Sequence, residues 1–413
     1  MRTSRSCIPR AAIIVAAPFL HAQAPAKPAP QTEDDAYTRY ELLLPVSAAK
    51  FRIIYEVTAT TPGAKFYFNP IRAGSVASDE RVTDRATGRP LAFDIVGDSV
   101  AKLGGVLGGD TSQKYIRVAL AHPVPANGGE ARVLIEKTYA DAKSYHADST
   151  GIVFDRSLGI KRNTVVLPAG YELTSCNFPS QVIRQGDGRI ALAFWNDGPS
   201  AAPLVIHAGL ATIPAAAALP TAQADRLSER AHQNREIVYF LRQPETHAFD
   251  LYHDYTESKP GESTYVNVVR PGSTVSGPSA RDLDTGAEVT FEIVKGAALT
   301  PAKLGVPAEE LKDATEAVVF HYPPVRAGAS IRLRMSETYT DSARYKLVGD
   351  MLVWDRAFGR PLNAVVLPAG WILTNSSIPA VVRAMDDGRI RLDFVNPRND
   401  EIAVLITAER GKR

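Results

Sequence analysis

Residues 138–196 read TYADAKSYHADSTGIVFDRSLGIKRNTVVLPAGYELTSCNFPSQVIRQGDGRIALAFWN, and residues 338–396 repeat this stretch without a gap. The two copies are identical at 26 of 59 positions. The run Val165–Gly170 returns unchanged as Val365–Gly370. Self-similarity at a fixed spacing is the signature of an internal duplication. The sequence therefore predicts a tandem repeat with a period of about 200 residues.

A strand pattern extends through both repeats. Phe51–Val57 and its counterpart Phe249–Tyr255 alternate along one face, as half-buried strands do. Asp-Gly pairs at positions 187–188 and 387–388 lie between apolar runs, which predicts tight hairpins. Helical segments do not alternate with these strands, which argues against a parallel βαβ architecture. We therefore expect an all-β fold, in which two immunoglobulin-like β-sandwich units of about 200 residues are built from short antiparallel strands.

The repeats define the expected domain organisation. Residues 213–220 are rich in Ala and Pro, whereas Thr221–Glu236 contains neither Gly nor Pro, which predicts a short linker helix capped by Thr221. Each repeat is either one larger sandwich or two modules, and two modules would meet near positions 136 and 336. The predicted segments are a signal peptide (1–24), a disordered tether (25–36), repeat 1 (37–212), the linker with its helix (213–236) and repeat 2 (237–413).

The N-terminus has the pattern of a secretory signal peptide. Three arginines within the first ten residues precede the apolar run Ala11–Leu20, and small residues follow it. Cleavage is expected between Ala22 and Ala26. No apolar run reaches the ~18 residues that a membrane span requires, so the mature chain is expected to have no transmembrane segment. Cys176 is its only cysteine, and export without a disulfide is compatible with a bacterial-type periplasm or an extracellular location.

Composition and motifs argue against several classes of function. Lys and Arg number 47 against 45 Asp and Glu, for a net charge of +2, so no nucleic acid partner is expected. The sequence contains no His-Glu-x-x-His and no Gly-x-Ser-x-Gly motif. His247 and His253 would share one face of a strand, but the sequence offers no third ligand beside them. We therefore predict no catalytic residue, no metal site and no cofactor.

Loop-borne polar and aromatic residues are the candidate binding groups. The pattern Tyr139-x-Asp141-x-x-x-Tyr145 follows a predicted strand and could line a groove at one end of a sandwich. The alternative is a tyrosine that holds a loop in place through its hydroxyl. Trp195 has Val395 as its counterpart, and we expect it to be an exposed aromatic platform. The candidate ligand-binding residues are Tyr139, Asp141, Tyr145, Trp195, Tyr339, Asp341 and Tyr345.

The neighbouring carboxylates have a structural and a catalytic interpretation. Asp155–Arg156 and Asp355–Arg356 are each predicted to be a structural ion pair that fixes a loop. Alternatively, Asp141 and Asp155 could be the paired carboxylates of a polysaccharide-active hydrolase. The presence of the Asp-Arg pair in both copies favours the structural interpretation.

These observations leave three functional hypotheses. The favoured one is an exported, non-catalytic binding or scaffold protein of the cell envelope, whose partner is an unknown glycan or envelope protein. The alternatives are the hydrolase with paired carboxylates and an assembly component that meets a partner protein in the envelope.

The run from Val165–Tyr171 through Asp187–Ile190 to Phe194 resembles the non-catalytic N-terminal β domains of exported gluzincin metallo-aminopeptidases. Those domains likewise place a Leu-Pro-x-Gly strand end before a hairpin. The family's His-Glu-x-x-His motif is absent from this sequence. The resemblance therefore implies an accessory β module and carries no peptidase activity to this chain.

Overall fold

A computed structural model describes residues 36–106, 111–198, 200–211, 228–296 and 316–411. The chain is nearly all β, with 57% strand and 4% helix, which confirms the all-β prediction. The predicted signal peptide and all of the predicted tether except Ala36 lie outside the described residues. Within the described ranges, no helix has both the length and the apolar character needed to span a bilayer.

The strands follow one another along both repeats with little helix between them. Those of the first repeat are β1 (Tyr37–Leu42), β2 (Lys50–Ala59), β3 (Phe66–Ile71), β4 (Val76–Asp84), β5 (Phe93–Gly97), β6 (Lys114–Ala119), β7 (Ala131–Ala140), β8 (Tyr145–Ala147), β9 (Ile152–Leu158), β10 (Arg162–Val166), β11 (Tyr171–Cys176), β12 (Gln181–Arg184), β13 (Ile190–Trp195) and β14 (Ala202–Leu210). Those of the second repeat are β15 (Arg235–Leu241), β16 (Ala248–Glu257), β17 (Thr264–Val268), β18 (Thr274–Asp282), β19 (Glu288–Lys295), β20 (Glu316–His321), β21 (Ile331–Thr340), β22 (Tyr345–Val348), β23 (Met351–Phe358), β24 (Leu362–Val366), β25 (Trp371–Ser376), β26 (Val381–Ala384), β27 (Ile390–Val395) and β28 (Ile402–Arg410). Within the described ranges, the helical elements are α1 (Asp98–Leu103) and two 3₁₀ turns, Val46–Ala48 and Pro244–Thr246.

The strand order of the largest sheet recurs in the second repeat. In the first repeat it is β12-β13-β10-β1-β2-β7-β4. In the second, the sheet β17-β20-β19-β18-β21-β16-β15-β24-β27-β26 contains the seven equivalent strands in reverse reading order and is extended by β17, β20 and β19. The counterparts of those three, β3-β6-β5, form a separate sheet. A four-stranded sheet accompanies each large one, β11-β14-β9-β8 in the first repeat and β22-β23-β28-β25 in the second.

Each large sheet contains a parallel strand pair, which the antiparallel expectation did not include. β1 runs parallel to β10, and β15 runs parallel to β24, while β1/β2 and β15/β16 are antiparallel. Tyr37 pairs with Arg162, far along the chain. Alternation and turn signals indicate which residues form strands, but they do not indicate which distant strand each one meets.

The predicted hairpin at 187–188 is present. β12 and β13 pair in antiparallel orientation on either side of it, and the Gly188 N–H donates to the carbonyl oxygen of Gln185 at 2.9 Å. Gly188 adopts a φ of 84°, a left-handed conformation that glycine adopts without a steric penalty. The same turn recurs in the second repeat at Gly388.

An aromatic core joins the large sheet to the four-stranded sheet in each repeat. Phe51 of β2 meets Phe154 of β9 edge to face, with ring centroids 5.6 Å apart. In the second repeat, Phe249 of β16 meets Trp354 of β23 at 4.8 Å. All four side chains are buried, and burying a side chain of this size stabilises the fold by about 2–3 kcal/mol.

The predicted linker helix is wrong where the structure describes it. Residues 221–227 of the predicted helix lie outside the described ranges, residues 228–234 form turns and coil, and Arg235 already belongs to β15. Polar contacts to both repeats explain the non-helical path. The Tyr37 hydroxyl donates to Glu229 Oε1 at 2.6 Å, and Arg230 donates to the carbonyl oxygen of Gly359 at 2.9 Å.

A buried ion pair connects the two repeats directly. Arg132 donates from Nε and Nη2 to the two carboxylate oxygens of Asp284, at 2.6 Å each. It also donates from Nη1 to Ser330 Oγ at 3.1 Å. Both charged side chains are buried, and the bidentate geometry is the strongest form of this interaction.

The two positions considered for a module boundary fall inside strands. Position 136 lies within β7 and position 336 lies within β21, and both strands continue on either side. β7 pairs with β2 along its whole length, so residues on both sides of position 136 belong to one sheet.

Candidate functional site

The predicted Tyr-Asp-Tyr groups lie in the core of each repeat, away from solvent. Tyr139 and Tyr145 are buried, as are Tyr339 and Tyr345. The Tyr345 hydroxyl donates to the main-chain carbonyl of Arg242, so this tyrosine holds a loop in place, as the alternative interpretation has it. These residues do not form an open groove at the end of the sheets, and among them only Tyr339 borders the pocket described below.

Arg156 binds Asp141 and does not bind its sequence neighbour Asp155. The Arg156 Nη1 donates to Asp141 Oδ2 at 3.0 Å, and both side chains are buried. Asp155 is exposed, because successive side chains of a strand point to opposite faces of the sheet. Ser75 also donates to Asp141 Oδ2, at 3.0 Å, which completes a polar cluster inside the core.

The second repeat has the same arrangement. Arg356 Nη1 donates to Asp341 Oδ2 at 3.1 Å, and Asp355 is exposed. The predicted ion pairs between adjacent residues are therefore wrong in both repeats. Asp141 is buried against Arg156, whereas Asp155 is exposed on the opposite face of β9, so the two carboxylates do not share one cleft as those of a hydrolase would.

Trp195 is not the open platform that the sequence suggested. Its ring is partly buried against Tyr37 and Ala231, at the junction between the first repeat and the connecting segment. The indole Nε1 is buried and has no hydrogen-bond partner in the described part of the chain. The ring therefore contributes to packing at this junction.

A pocket of about 310 Å³ opens in the second repeat, between the large sheet and the four-stranded sheet. We call it the second-repeat pocket. Three arginines and one carboxylate residue contribute to its wall, which gives it a positive character. The lining residues with polar side chains include His253, Asn267, Arg270, Arg356, Arg360 and Glu401.

Arg356 reaches the second-repeat pocket from β23. Its guanidinium carbon lies 4.9 Å from the centroid of the Phe249 ring, and its Nη1 is held by Asp341. The Nε atom is buried without a hydrogen-bond partner among the described residues. Burial lowers the pKa of Arg356, and the charge of Arg270 acts in the same direction, so the pocket places cationic groups near one another.

Arg360 and His253 form the centre of the wall. Arg360 Nη2 donates to the Tyr265 hydroxyl at 2.6 Å and lies 3.2 Å from His253 Nδ1. Because a guanidinium only donates, Nδ1 must accept, which leaves the proton of a neutral imidazole on Nε2. Burial, together with the charges of Arg360 and Arg235, holds the pKa of His253 well below its usual value. Nε2 is thus a buried donor, and it has no partner within the described ranges.

Asn267 connects the pocket to a buried carboxyl group behind it. Its Nδ2 donates to Glu337 Oε2 at 2.7 Å and to the Tyr339 hydroxyl at 3.2 Å. Burial raises the pKa of Glu337 to about 7, although the hydrogen bonds from Asn267 and Tyr339 oppose the shift. Glu337 Oε1 is buried and has no hydrogen-bond partner in the part of the chain that is described.

Asn363 and Arg270 complete the polar wall. Asn363 Nδ2 donates to the carbonyl oxygen of Arg360 at 2.8 Å, while its Oδ1 is buried and unbonded among the described residues. Arg270 Nη2 donates to Glu401 Oε1 at 2.9 Å. Glu401 is more than half exposed, so this pair lies at the open side of the pocket.

The strand register shows which residues of the first repeat are equivalent to this site. His253 faces Met335 across β16 and β21, and Tyr55 faces Ile135 across β2 and β7 in the same register. Ile160 occupies the position of Arg360, because its carbonyl oxygen likewise accepts from the asparagine three residues later.

The first repeat carries different side chains where the second carries the pocket. Tyr55 replaces His253 and Ile160 replaces Arg360, so the polar pair at the centre of the wall is absent there. Lys137 stands in place of Glu337, and its Nζ donates to Asn69 Oδ1 at 2.5 Å. Ala201 corresponds to Glu401. The Asp-Arg cluster of the core and the wall residue Asn363, with its counterpart Asn163, are common to both repeats, whereas His253, Arg360 and Glu401 occur only in the second.

The sequence contained a signal for this site that the preceding interpretation did not use. Six of the seven candidate residues, all except Trp195, are shared by the two copies, and they lie in the common core. The pocket residues His253, Glu337 and Arg360 are instead positions where the copies differ in charge or polarity. This wall is indicated by equivalent positions at which one copy has a polar residue and the other has an apolar or oppositely charged residue.

A second cleft, of about 220 Å³, lies between the repeats and includes Glu56, Arg132 and His232 in its lining. Two of its polar side chains have bonded partners, whereas Arg235 Nε is buried without a hydrogen-bond partner among the described residues. Arg132 is bound to Asp284 and Ser330, and His232 Nε2 lies 3.4 Å from Glu56 Oε1. These contacts assign the cleft to the interface between the repeats.

Among the described residues, no group of three or more His, Cys, Asp and Glu side chains is arranged to hold a metal ion. His247 and His253 do not converge, although the sequence places them six residues apart. His247 precedes β16 and its Nδ1 lies 2.9 Å from the carbonyl oxygen of Tyr345, whereas His253 Nδ1 faces Arg360.

Comparisons with known proteins do not identify this chain. No family model and no curated protein match it. Among solved structures, it is similar to an M1 zinc metallopeptidase from Deinococcus radiodurans, at 14% identity over 42% of this chain and 41% of that chain, with a TM-score of 0.27. It is also similar to an aminopeptidase N family protein from Idiomarina loihiensis, at 10% identity over 42% of this chain and 29% of that one, with a TM-score of 0.24. The matched part is less than half the length of either protein, and TM-scores this low do not establish a shared function.

Proposed function

We propose that this chain is an exported, non-catalytic binding protein of the cell envelope, in which two immunoglobulin-like β-sandwich units follow one another. The second unit carries the binding site, and its ligand is a small polar molecule such as a component of a glycan. The first unit and the connecting segment serve as the scaffold.

The proposal depends on the polar atoms left without partners around the second-repeat pocket. They are His253 Nε2, Arg356 Nε and Asn363 Oδ1, each buried and unbonded among the described residues; the equivalent Asn163 Oδ1 of the first repeat is also unbonded, so His253 Nε2 and Arg356 Nε are the atoms specific to the second. Buried polar groups normally have hydrogen-bond partners, and each one left without costs about 1–3 kcal/mol. A bound ligand that supplies these hydrogen bonds would remove part of that cost.

The placement of the carboxylates supports binding over hydrolysis. Asp141 is bonded to Arg156 and Ser75 in the core, and Asp341 is bonded in the same way to Arg356 and Ser273. Carboxylates held in this way maintain the fold, and they are not positioned as a pair on either side of a glycosidic bond.

A thermal-shift screen tests the proposal. The purified mature chain is mixed with a panel of monosaccharides, sugar acids and short glycans, and its melting temperature is recorded. We expect at least one compound to raise it by several degrees, because a ligand that binds only the folded state stabilises that state. The proposal is contradicted if no compound stabilises the protein.

The double variant His253→Tyr/Arg360→Ile is the matched control, because it places the side chains of the first repeat in the pocket of the second. We expect it to fold, since both side chains already occur at equivalent positions of this chain, and to lose the ligand-induced shift. An equal shift in the variant would show that the compound binds elsewhere and would contradict the proposed site.

A further inference from the structure

We infer that the second-repeat pocket is built for a small sugar acid, a polyhydroxylated molecule that carries one carboxylate. This inference rests on the proposed function and specifies its ligand. Two sets of groups in one wall support it. Guanidinium donors would bind the carboxylate of the ligand, and neutral polar groups would bind its hydroxyls.

The guanidinium groups provide the anion-binding part. In the described part of the chain Arg360 uses only Nη2 in its contacts with Tyr265 and His253, so its Nε and Nη1 remain as donors. Arg356 binds Asp341 through Nη1 and keeps a buried Nε without a partner among the described residues. A planar guanidinium matches the two oxygens of a carboxylate.

The charge balance of the wall favours a monoanion. Asp341 neutralises Arg356, and the Glu401 carboxylate neutralises Arg270 at the open side of the pocket. Among the described residues, Arg360 has no carboxylate partner and contacts two neutral groups. The unpaired positive charge of Arg360 favours a ligand with one negative charge.

The neutral groups provide the hydroxyl-binding part. His253 Nε2 is a donor, whereas Asn363 Oδ1 is an acceptor, and both are buried without partners in the described ranges. Hydroxyl groups both donate and accept, so a polyol can satisfy both atoms. A fully deprotonated inorganic anion such as sulfate offers only acceptors and would leave the Asn363 oxygen unpaired.

The size of the pocket agrees with a single sugar ring. Its volume is about 310 Å³, at the lower end of the range of small-molecule sites. Tyr239 and Tyr339 also border it, and aromatic side chains provide apolar surface for the face of a sugar ring. A long oligosaccharide would have to extend through the open side, past Arg270 and Glu401.

Isothermal titration calorimetry with three matched pairs tests the inference. The pairs are glucuronate with glucose, galacturonate with galactose, and mannuronate with mannose, and inorganic phosphate is titrated separately. We expect at least one acid to bind roughly 10- to 100-fold more tightly than its neutral partner, as a charge-assisted hydrogen bond predicts. We also expect that acid to bind at least roughly 10-fold more tightly than phosphate.

The variant Arg360→Ile should reduce the preference for the acid over its neutral partner to about threefold or less, because it removes the unmatched charge. The variant Arg117→Ala, which changes a partly exposed arginine of the first repeat outside the pocket, should leave it unchanged. Circular dichroism and melting temperature confirm that both variants are folded.

The possible results separate the two proposals. Equal binding of acid and neutral sugar, equal binding of phosphate, or a preference that survives Arg360→Ile would overturn the sugar-acid inference. If no acid binds but another compound stabilises the wild type and not the double variant in the thermal-shift screen, the inference fails and the binding site stands. If nothing binds, both proposals fail.

Discussion

Arg360 Nη2 lies 3.2 Å from His253 Nδ1, and this contact makes the histidine accept at Nδ1 and carry its proton on Nε2. The equivalent residues of the first repeat, Ile160 and Tyr55, cannot form such a pair. The two repeats therefore share one framework and differ in the side chains that lie between their sheets. The predictions below test the pair, the framework and the buried groups around them.

Arg360→Ile should raise the pKa of His253. Burial is the largest cause of the low pKa of this imidazole, and the charges of Arg360 and Arg235 lower it further. Removing one charge removes part of the shift, so the ring remains neutral at pH 7 but titrates at a higher pH than in the wild type. NMR of selectively labelled histidine provides the measurement. An unchanged titration would mean that Arg360 does not act on this ring.

Because of Glu337, the free energy of unfolding of the protein should fall as the pH rises from about 4.5 to about 7. The unfolded state loses the proton near 4.5, whereas burial keeps it on the folded carboxyl up to a pKa of about 7. In that window the folded state binds more protons than the unfolded state, so the free energy of unfolding falls with pH. The total change is about 3 kcal/mol, and urea titrations across this range measure it. Glu337→Gln should abolish this part of the pH dependence.

Lys137 at the equivalent position of the first repeat serves as the control, because its effect has the opposite sign. Burial, with the charge of Arg156 beside it, lowers the pKa of Lys137 to about 7. Between pH 7 and 10 the unfolded state binds the additional proton, so the free energy of unfolding rises with pH. Lys137→Met should remove this rise without affecting the acidic window. Identical pH profiles for the two variants would contradict both assignments.

Asp141→Ala should destabilise the protein far more than Asp155→Ala. Burial alone would raise the pKa of Asp141, but hydrogen bonds from Ser144 and Ser75 and the charge of Arg156 keep it below the usual value. Removing this carboxylate leaves Arg156 buried without its counter-ion, at a cost of about 3–5 kcal/mol. The exposed Asp155 should change the free energy of unfolding by no more than about 0.5 kcal/mol. Equal losses in urea unfolding would mean that the two residues have been assigned to the wrong faces of the sheet.

Asp284→Ala should weaken the connection between the repeats. Arg132 would lose both bidentate hydrogen bonds and remain as a buried charge, which costs about 3–5 kcal/mol. The exposed pair Arg117–Asp94 provides a control, because Asp94→Ala should cost less than about 1 kcal/mol. Chemical unfolding followed by fluorescence and by circular dichroism measures the losses. A loss for Asp284→Ala no larger than that for Asp94→Ala would show that the interface does not depend on this pair.

Sequence periodicity was sufficient to predict the strands. The alternation of Phe51–Val57 corresponds to β2, and the Asp-Gly turn at 187–188 corresponds to the hairpin between β12 and β13. These features depend on local patterns, which a sequence shows directly. The helix expected at Thr221–Glu236 depended on local propensity too, and contacts such as Tyr37 with Glu229 override that propensity in the part described.

The site could not be predicted in the same way, because it depends on side chains brought together from distant strands. Arg156 and Asp155 are neighbours in sequence but lie on opposite faces, and the partner of Arg156 is Asp141 on another element. Similarly, Arg360 meets His253 across more than a hundred residues. Charge and aromatic motifs in the sequence identify the residue types, and only the sheet register shows which of them face the same space.

The most direct measurement of the central claim is a crystal structure of the mature chain with the sugar acid that binds most tightly in solution. We predict a sugar ring in the second-repeat pocket, with its carboxylate about 3 Å from the guanidinium groups of Arg356 and Arg360, and no sugar at the equivalent place beside Ile160. A ligand bound elsewhere on the chain, or one whose carboxylate points away from Arg360 into solvent, would contradict the claim.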